Sequence, residues 1–245
     1  LAFLAVALCV FIVVVVMTVM TGLVSDFKKK NHAFVGDCIV STKSLVGFAY
    51  YKDFIKILEQ TDFIEAISPV IKSYALVSPS WTDKGFGLEV MGIDAVNHSR
   101  ATDFGKTLHY RKDEVSKAFE PVYDANLLGC VVGVDTRINW KLRRDANGGY
   151  SFGVTPDQIA FSISCVPLTS RGALAKAGTD MVNTKTFYYS DASHSGLARV
   201  DASTVYLPFE WAQRLCGMDG SDKRINAIYI KFKPDEKLEA GCQKV

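Results

Sequence analysis

The sequence predicts an α+β protein: one membrane-spanning helix at the N-terminus, then a folded domain that mixes helices and strands. Three observations carry this. Leu1 to Met20 contains no charged residue and no proline, and a run of about twenty apolar residues is what a helix needs to cross a hydrocarbon core about 30 Å thick. Beyond Leu23 charges return, at Asp26 and at Lys28, Lys29 and Lys30, and the remainder has the composition of a water-soluble domain. In that remainder Ile159, Phe161, Ile163 and Cys165 alternate with Ala160, Ser162 and Ser164, the period of a half-buried strand. Tyr50, Phe54, Ile57 and Leu58 recur instead at helical spacing, with Lys52, Asp53, Lys56 and Glu59 opposite.

Composition sets the outer bounds. The chain has 245 residues, and about 220 of them lie outside the apolar stretch, enough for one large domain or two small ones. A balance of 28 basic against 26 acidic residues gives no reason to expect nucleic acid as a partner. Of six cysteines, Cys9 lies in the apolar run, and Cys38, Cys130, Cys165, Cys216 and Cys242 remain, none in a C-x-x-C pair. Five cannot all pair within one chain. Most are expected as free thiols, with one bridge open to an exported domain. There is no initiator Met, no basic segment before Leu1 and no small-residue cleavage site after the run, so a fragment of a longer chain is expected.

In chain order, the first helix is expected to span the membrane and continue through Val24, Asp26 and Phe27 to Lys30, giving residues 1–30 as a transmembrane helix with a soluble extension. Asp37–Ser41 follows the break at Gly36 as a first strand. A helix over Tyr50–Gln60 comes next, then the strands Val70–Val77 and Gly87–Ile93, the second behind the turn residues Asp83, Lys84 and Gly85. Asp94 to Asn126 is polar with a mixed signal, in which Val115, Phe119 and Val122 suggest a short helix or a packed loop. Cys130–Val134 reads as an apolar strand between Gly129 and Gly133, leading to a helix over Thr136–Leu142. Ala146–Tyr150 and Thr155-Pro156-Asp157 read as turns, and Gln158–Val166 as a strand. Pro167–Asn183 is a loop or hairpin rich in serine, glycine and alanine. Lys185–Asp191 resumes strand character, and Ala192–Arg199 is a polar connection. Thr204–Pro208, Phe209–Leu215 and Ala227–Phe232 close the chain as strand, helix and strand.

Nothing in this order builds catalysis. None of His32, His98, His109 and His194 has a metal-ligand partner at a spacing that a rigid element would hold. There is no G-x-S-x-G, no phosphate-cradling glycine loop and no carboxylate couple suited to acid–base work. No catalytic, cofactor-binding or metal residue is assigned, and no cofactor is expected. Asp201, before the strand Thr204–Pro208, is expected to cap or turn rather than catalyse. Trp211 and the tyrosines of Tyr50/Tyr51 and Tyr188/Tyr189 are expected to pack.

Five stretches together resemble a known family. They are V-M-T-V-M-T-G-L-V-S-D-F (Val16–Phe27), D-F-I-E-A-I-S-P-V-I-K (Asp62–Lys72), G-L-E-V-M-G-I-D (Gly87–Asp94), V-V-G-V-D (Val131–Asp135) and the run from Phe187 to Leu215 that ends in V-Y-L-P-F-E-W-A-Q-R-L. Their order resembles the start of an ABC transporter permease of the MacB/FtsX-like superfamily, most closely its lipoprotein-releasing LolC/LolE type. The chain departs from the pattern at Asp135 and Asn139, and at F-Y-Y-S-D-A-S (Phe187–Ser193), which lacks the family's glycine.

The resemblance implies an extracytoplasmic MacB-like periplasmic core domain in two parts. A membrane-proximal Porter-like α/β subdomain would comprise 31–128 and 201–245, and a strand-rich Sabre-like subdomain 129–200. It implies a place in the cytoplasmic (inner) membrane with the soluble domain on the periplasmic side. That is the opposite of what Lys28–Lys30 would favour if read as a cytoplasmic flank. The implied partners are a cytoplasmic ABC ATPase subunit, a second permease copy or paralogue in a dimer, and a periplasmic chaperone or cargo lipoprotein. The implied function couples ATP hydrolysis to movement of the extracytoplasmic domains, with lipoprotein release or export as the outcome. Pro167–Asn183 is the positional equivalent of a chaperone-recruiting hairpin, with no residue matched. The alternative is a membrane-anchored extracytoplasmic binding or adaptor protein without ATPase coupling.

Overall fold

The computed structural model describes the whole chain except residues 1, 43, 140–148, 154–155, 157 and 176–181. The first helix, α1, spans Ala2–Val35. At 1.5 Å per residue it is about 50 Å long, so it outruns a hydrocarbon core and leaves about four turns beyond it. It is one turn longer than expected. Its side chains from Phe3 to Phe27 face outward, with no protein packed on them. The hydroxyls of Thr18 and Thr21 donate to the carbonyls of Val14 and Met17, both at 2.8 Å. Neither threonine hydroxyl therefore needs water.

The domain behind it is built on one eight-stranded sheet. Its strands are β1 (Cys38–Ser41), β2 (Ile64–Pro79), β3 (Phe86–Ile93), β4 (Gly129–Gly133), β5 (Ala160–Cys165), β6 (Asn183–Ser193), β7 (Thr204–Pro208) and β8 (Ala227–Phe232). The order is β1-β8-β2-β3-β7-β4-β6-β5. β3 runs parallel to β7 and β4 parallel to β6, and the other pairs are antiparallel. β2 is the hub. Its first half pairs with β8 and its last residues, Ala75 to Pro79, pair with β5. That second pairing closes β2, β3, β7, β4, β6 and β5 into a ring.

Side chains alternate between the faces of this sheet and build a core on each. Ile71, Val90, Val132, Val205, Leu207, Ile228 and Ile230 enter one core, under the helices α2 (Tyr51–Glu59) and α6 (Phe209–Leu215). Val70, Met91, Val131, Tyr206 and Tyr229 enter the other. This second core is covered by α3 (Ala95–Ala101) and α4 (Phe104–Thr107), and Phe34 from the end of α1 packs on it. The chain continues through α5 (Ala198–Ser203) and ends in α7 (Leu238–Lys244). The predicted alternation in β5 holds: Phe161, Ile163 and Cys165 are buried, and Ala160, Ser162 and Ser164 are only partly so.

Several expectations change. The strand expected from Val70 begins at Ile64 and runs through Pro69. At Pro69 only the β8 side is paired, because pairing with β3 begins at Val70. The strand therefore tolerates a residue with no amide proton there. The polar stretch 94–126 holds α3, α4 and a 3₁₀ turn at Val115–Lys117. The connection expected at Ala192–Arg199 is shorter, because β6 runs to Ser193 and α5 starts at Ala198. Tyr51 is buried but Tyr50 is 75% exposed, with φ 59° at the start of α2. The helix expected at Thr136–Leu142 is not formed over its described part, where Thr136–Asn139 make a turn closed by Asn139 N–H on the Thr136 carbonyl at 2.9 Å. Residues 140–142, most of the turn at Ala146–Tyr150, and Thr155 and Asp157 of the next turn lie outside the described residues.

Candidate functional site: the joint between the helix and the domain

The last turn of α1 does not fray into a linker. It is bonded into the domain. A helix end leaves its last carbonyls without partners in the helix, and two of them are satisfied here by named groups. Gly36 N–H donates to the His32 carbonyl at 2.8 Å, and Asp103 N–H donates to the Ala33 carbonyl at 2.7 Å. Asp103 belongs to the turn between α3 and α4, so the second bond crosses from helix to domain.

Gly36 makes the turn possible. Its φ is +78°, a left-handed conformation that glycine adopts freely. A side chain there would also collide with the carbonyls of Ala101 and Ile230, whose oxygens would lie 2.7 and 3.1 Å from a β-carbon. Asp37 then fastens the chain to the sheet. Its N–H donates to Ile230 O at 3.0 Å. Its Oδ2 accepts from Phe232 N–H at 2.7 Å, and its Oδ1 meets His32 Nε2 at 2.6 Å. One carboxylate thus joins the end of α1 to β8.

The lysine triplet takes part. Lys30 Nζ pairs with Asp26 at 2.9 Å, one turn back, and its side chain lies against Gly196 in the loop before α5. Beside the joint runs an open polar groove of about 420 Å³, lined by His32, Gly36, Arg100, Asp103, Lys106 and Lys231. Within it Lys106 pairs with Asp103 at 2.9 Å, and Lys231 pairs with Glu65 at 3.1 Å. The arrangement can carry force: displacement of α1 must pull on α4 through Asp103 and on β8 through Asp37.

Two buried carboxylates hold the loops around this face. Asp201 is 1% exposed. Its Oδ1 accepts from the N–H and hydroxyl of Ser195 at 2.8 and 2.7 Å, and its Oδ2 from Gly196 N–H at 3.0 Å. It therefore fixes the turn that touches Lys30, the structural role expected of it. Asp191 accepts backbone N–H groups from His109, Tyr110, Arg111 and Ala192 at 3.0, 2.9, 2.8 and 2.7 Å. Burial pushes its carboxyl above the usual range, and the four amides pull it back. Asp191 and His194 are three residues apart in sequence. In the fold Asp191 serves the loop at 109–111, and His194 lies 3.9 Å from Asp201 instead.

His98 lies apart from the other histidines, whereas His109 and His194 flank one aromatic cluster with Phe152 and Tyr150. His98 is buried, bonded through Nδ1 to Ser68 Oγ at 3.0 Å, and desolvation followed by the nearby Lys72 lowers its pKa to about 3. His109 stacks on Phe152 at 3.6 Å between centroids. Among the described residues no group of three or more His, Cys, Asp or Glu side chains could hold a metal ion. Trp211 is half-buried, edge-on to Phe187, with Lys185 and Arg214 over its ring.

Sequence reasoning missed a second clamp, far along the chain from the first. Arg224 is buried and donates to the carbonyls of Val46, Leu168 and Gly217 at 2.9, 2.8 and 2.9 Å. Neighbouring Asn226 closes both backbone groups of Lys72, at 2.6 and 2.7 Å. Arg224 thereby anchors the base of the segment that begins at Pro167. Its described part folds back at Leu168 and Leu174 as a tight turn, exposed from Ser170 to Ala175.

No family model matches this chain, and no curated protein does. Among solved structures it is similar to the periplasmic region of MacB from Actinobacillus actinomycetemcomitans, at 11% identity and a TM-score of 0.45 over 84% of this chain and 78% of that one. It is also similar to the extracellular domain of the noncanonic ABC-type transporter YknZ from Gram-positive bacteria, at 10% identity and a TM-score of 0.41 over 82% and 85%.

Proposed function

We propose that this chain is part of the permease of an ABC transport complex, in which α1 crosses the cytoplasmic membrane and the domain stands on its extracytoplasmic side. A cytoplasmic ATPase would drive the domain through the membrane helices, with a second permease copy or paralogue opposite. The observation that carries this reading is the continuous α1, bonded at Ala33, His32 and Asp37 into both a loop and the sheet of the domain. A simple anchor needs no such joint. The order of motifs from Val16 to Leu215 supports the same reading. The involvement of Lys30 in the joint accounts for at least one member of the lysine triplet without a cytoplasmic flank.

The strand order supports a division of the domain. β1, β8, β2, β3 and β7, from 31–128 and 201–245, are neighbours, and β4, β6 and β5, from 129–200, follow them. In this reading the first group is the membrane-proximal Porter-like part and the second the Sabre-like part. Release of lipoproteins to a periplasmic chaperone is the cargo reading, and the exposed turn after Pro167 is the surface offered to that chaperone.

The test is purification of the full-length chain from native membranes in mild detergent, followed by an assay for ATP hydrolysis and identification of what co-purifies. An ABC ATPase in stoichiometric amount is the expected result. Its absence sinks the transport reading and leaves the anchored adaptor.

A further inference from the structure

Five of the six cysteines lie in the folded domain, all as free thiols, and the fold sets four of them beside one another two by two. Cys38 opens β1, two residues after the left-handed turn at Gly36. Cys242 comes from α7, at the other end of the chain, and the two thiols lie against each other. Cys242 Sγ is also 3.8 Å from the Asp37 carbonyl. The docking of α7 is specific. Gly241 is buried and packs so close to the Phe232 ring that a β-carbon would lie 2.6 Å from it. Lys244 pairs with Glu236 at 2.7 Å and sits over the Phe63 ring.

The second pair is interior. Cys165 ends β5, opposite Ala75 of β2 where the ring of strands closes. Cys216 caps the C-terminus of α6, and its carbonyl accepts from Leu168 N–H. Both are buried in the same core, thiol against thiol, and Cys216 is the easier to ionise because Cys165 donates to it. Cys130, buried in β4, has only burial acting on it and no thiol beside it.

We propose that Cys38 pairs with Cys242 and Cys165 with Cys216 as two disulfides, leaving Cys130 a buried thiol. The inference rests on the extracytoplasmic placement of the proposed function, because a reducing cytoplasm keeps thiols reduced. The oxidant is a disulfide-carrying oxidoreductase or an oxidised low-molecular-weight thiol. One thiolate attacks its S–S bond and forms a mixed disulfide, expelling one donor thiolate. The second cysteine, losing its proton, then attacks the mixed disulfide and expels the other. Each bridge costs the protein two hydrogens and reduces one donor disulfide to two thiols. The Cys38–Cys242 bridge would tie α7 to the residue that follows the helix joint. The Cys165–Cys216 bridge would brace the base of the turn that begins at Pro167. It must form before the core closes over it, whereas Cys242 is exposed and open to later exchange.

The experiment takes the full-length chain from its native membrane, quenched in acid, alkylated without reductant and digested. The expected outcome is two linked peptide pairs, Cys38 with Cys242 and Cys165 with Cys216. Of the six cysteines of this sequence only Cys9 and Cys130 are then alkylated after denaturation, and the two bridges lower the mass by about 4 Da relative to the reduced form. Alkylation of all six cysteines, or any other pairing, overturns the proposal. A phosphatase fusion after Val245 separates the two failures. Free thiols with an active, exported phosphatase defeat the disulfides alone, and an inactive phosphatase defeats the placement as well.

Discussion

The amide of Asp103 donates to the carbonyl of Ala33 at 2.7 Å, joining the turn between α3 and α4 to the last turn of the long apolar helix α1. With the Gly36 turn and the Asp37 carboxylate, it makes α1 and the sheet parts of one body. The consequences can be measured one residue at a time.

Gly36→Ala attacks the turn itself. The left-handed conformation costs a residue with a β-carbon about 1–2 kcal/mol, and the approach to the carbonyls of Ala101 and Ile230 adds to it. A loss of about 2–4 kcal/mol is expected in thermal melts of the detergent-solubilised chain. Gly22→Ala, where a β-carbon meets nothing within 4 Å, serves as the control and should leave the melt unchanged.

Asp37→Ala removes the acceptor of Phe232 N–H and the partner of His32. A buried donor left unsatisfied costs about 1–3 kcal/mol. Hydrogen exchange should accelerate first at Phe232 and along the end of α1, ahead of the centre of the sheet.

Arg224→Ala leaves three carbonyls without their donor and should cost about 2–4 kcal/mol. Arg224→Lys should recover only part, because a single ammonium cannot span the fork that reaches Val46, Leu168 and Gly217. Limited proteolysis should show cleavage near Ser170 to Ala175 rising in both variants.

His98 predicts an acid-side loss of stability. Its folded pKa is about 3 against an ordinary value of 6.5, so below pH 6.5 the unfolded chain binds a proton that the folded chain does not. Stability is complete above 6.5 and falls as pH drops from there toward 3, with a slope approaching about 1.4 kcal/mol per pH unit. Denaturant titrations from pH 7 to 4 should show this slope, and His98→Gln should flatten it by about one proton. An unchanged slope in the variant would assign the acid loss to other groups.

Local patterns made much of this fold readable, and long-range closure made the rest obscure. The absence of charge to Met20 foretells α1, and period-two alternation foretells β5 and β8. The continuity of β2 through Pro69 was hidden because a proline normally ends a strand, and only the unpaired side next to β3 excuses it. The return of β5 to β2 leaves no periodic trace. Asp201 was legible as a turn residue because its partners, Ser195 and Gly196, are near it in sequence. Asp191 and Arg224 were not, because the groups they hold come from distant parts of the chain. Polar residues beside a strand end look solvated until the fold buries them. The joint was half visible: Gly36 was seen as a break, but not as the residue that lets Asp37 reach Phe232.

The central claim is that α1 and the domain move as one body, and hydrogen exchange of the full-length chain in lipid nanodiscs tests it most directly. The amides of residues 30–36 lie beyond the apolar segment, where the bilayer does not shield them. If the helix is locked into the domain, they exchange on the slow timescale of β2 and β8, because opening them requires opening the sheet. Exchange within seconds, as fast as the exposed turn at Ser170 to Ala175, would mean a frayed tether and would contradict the account.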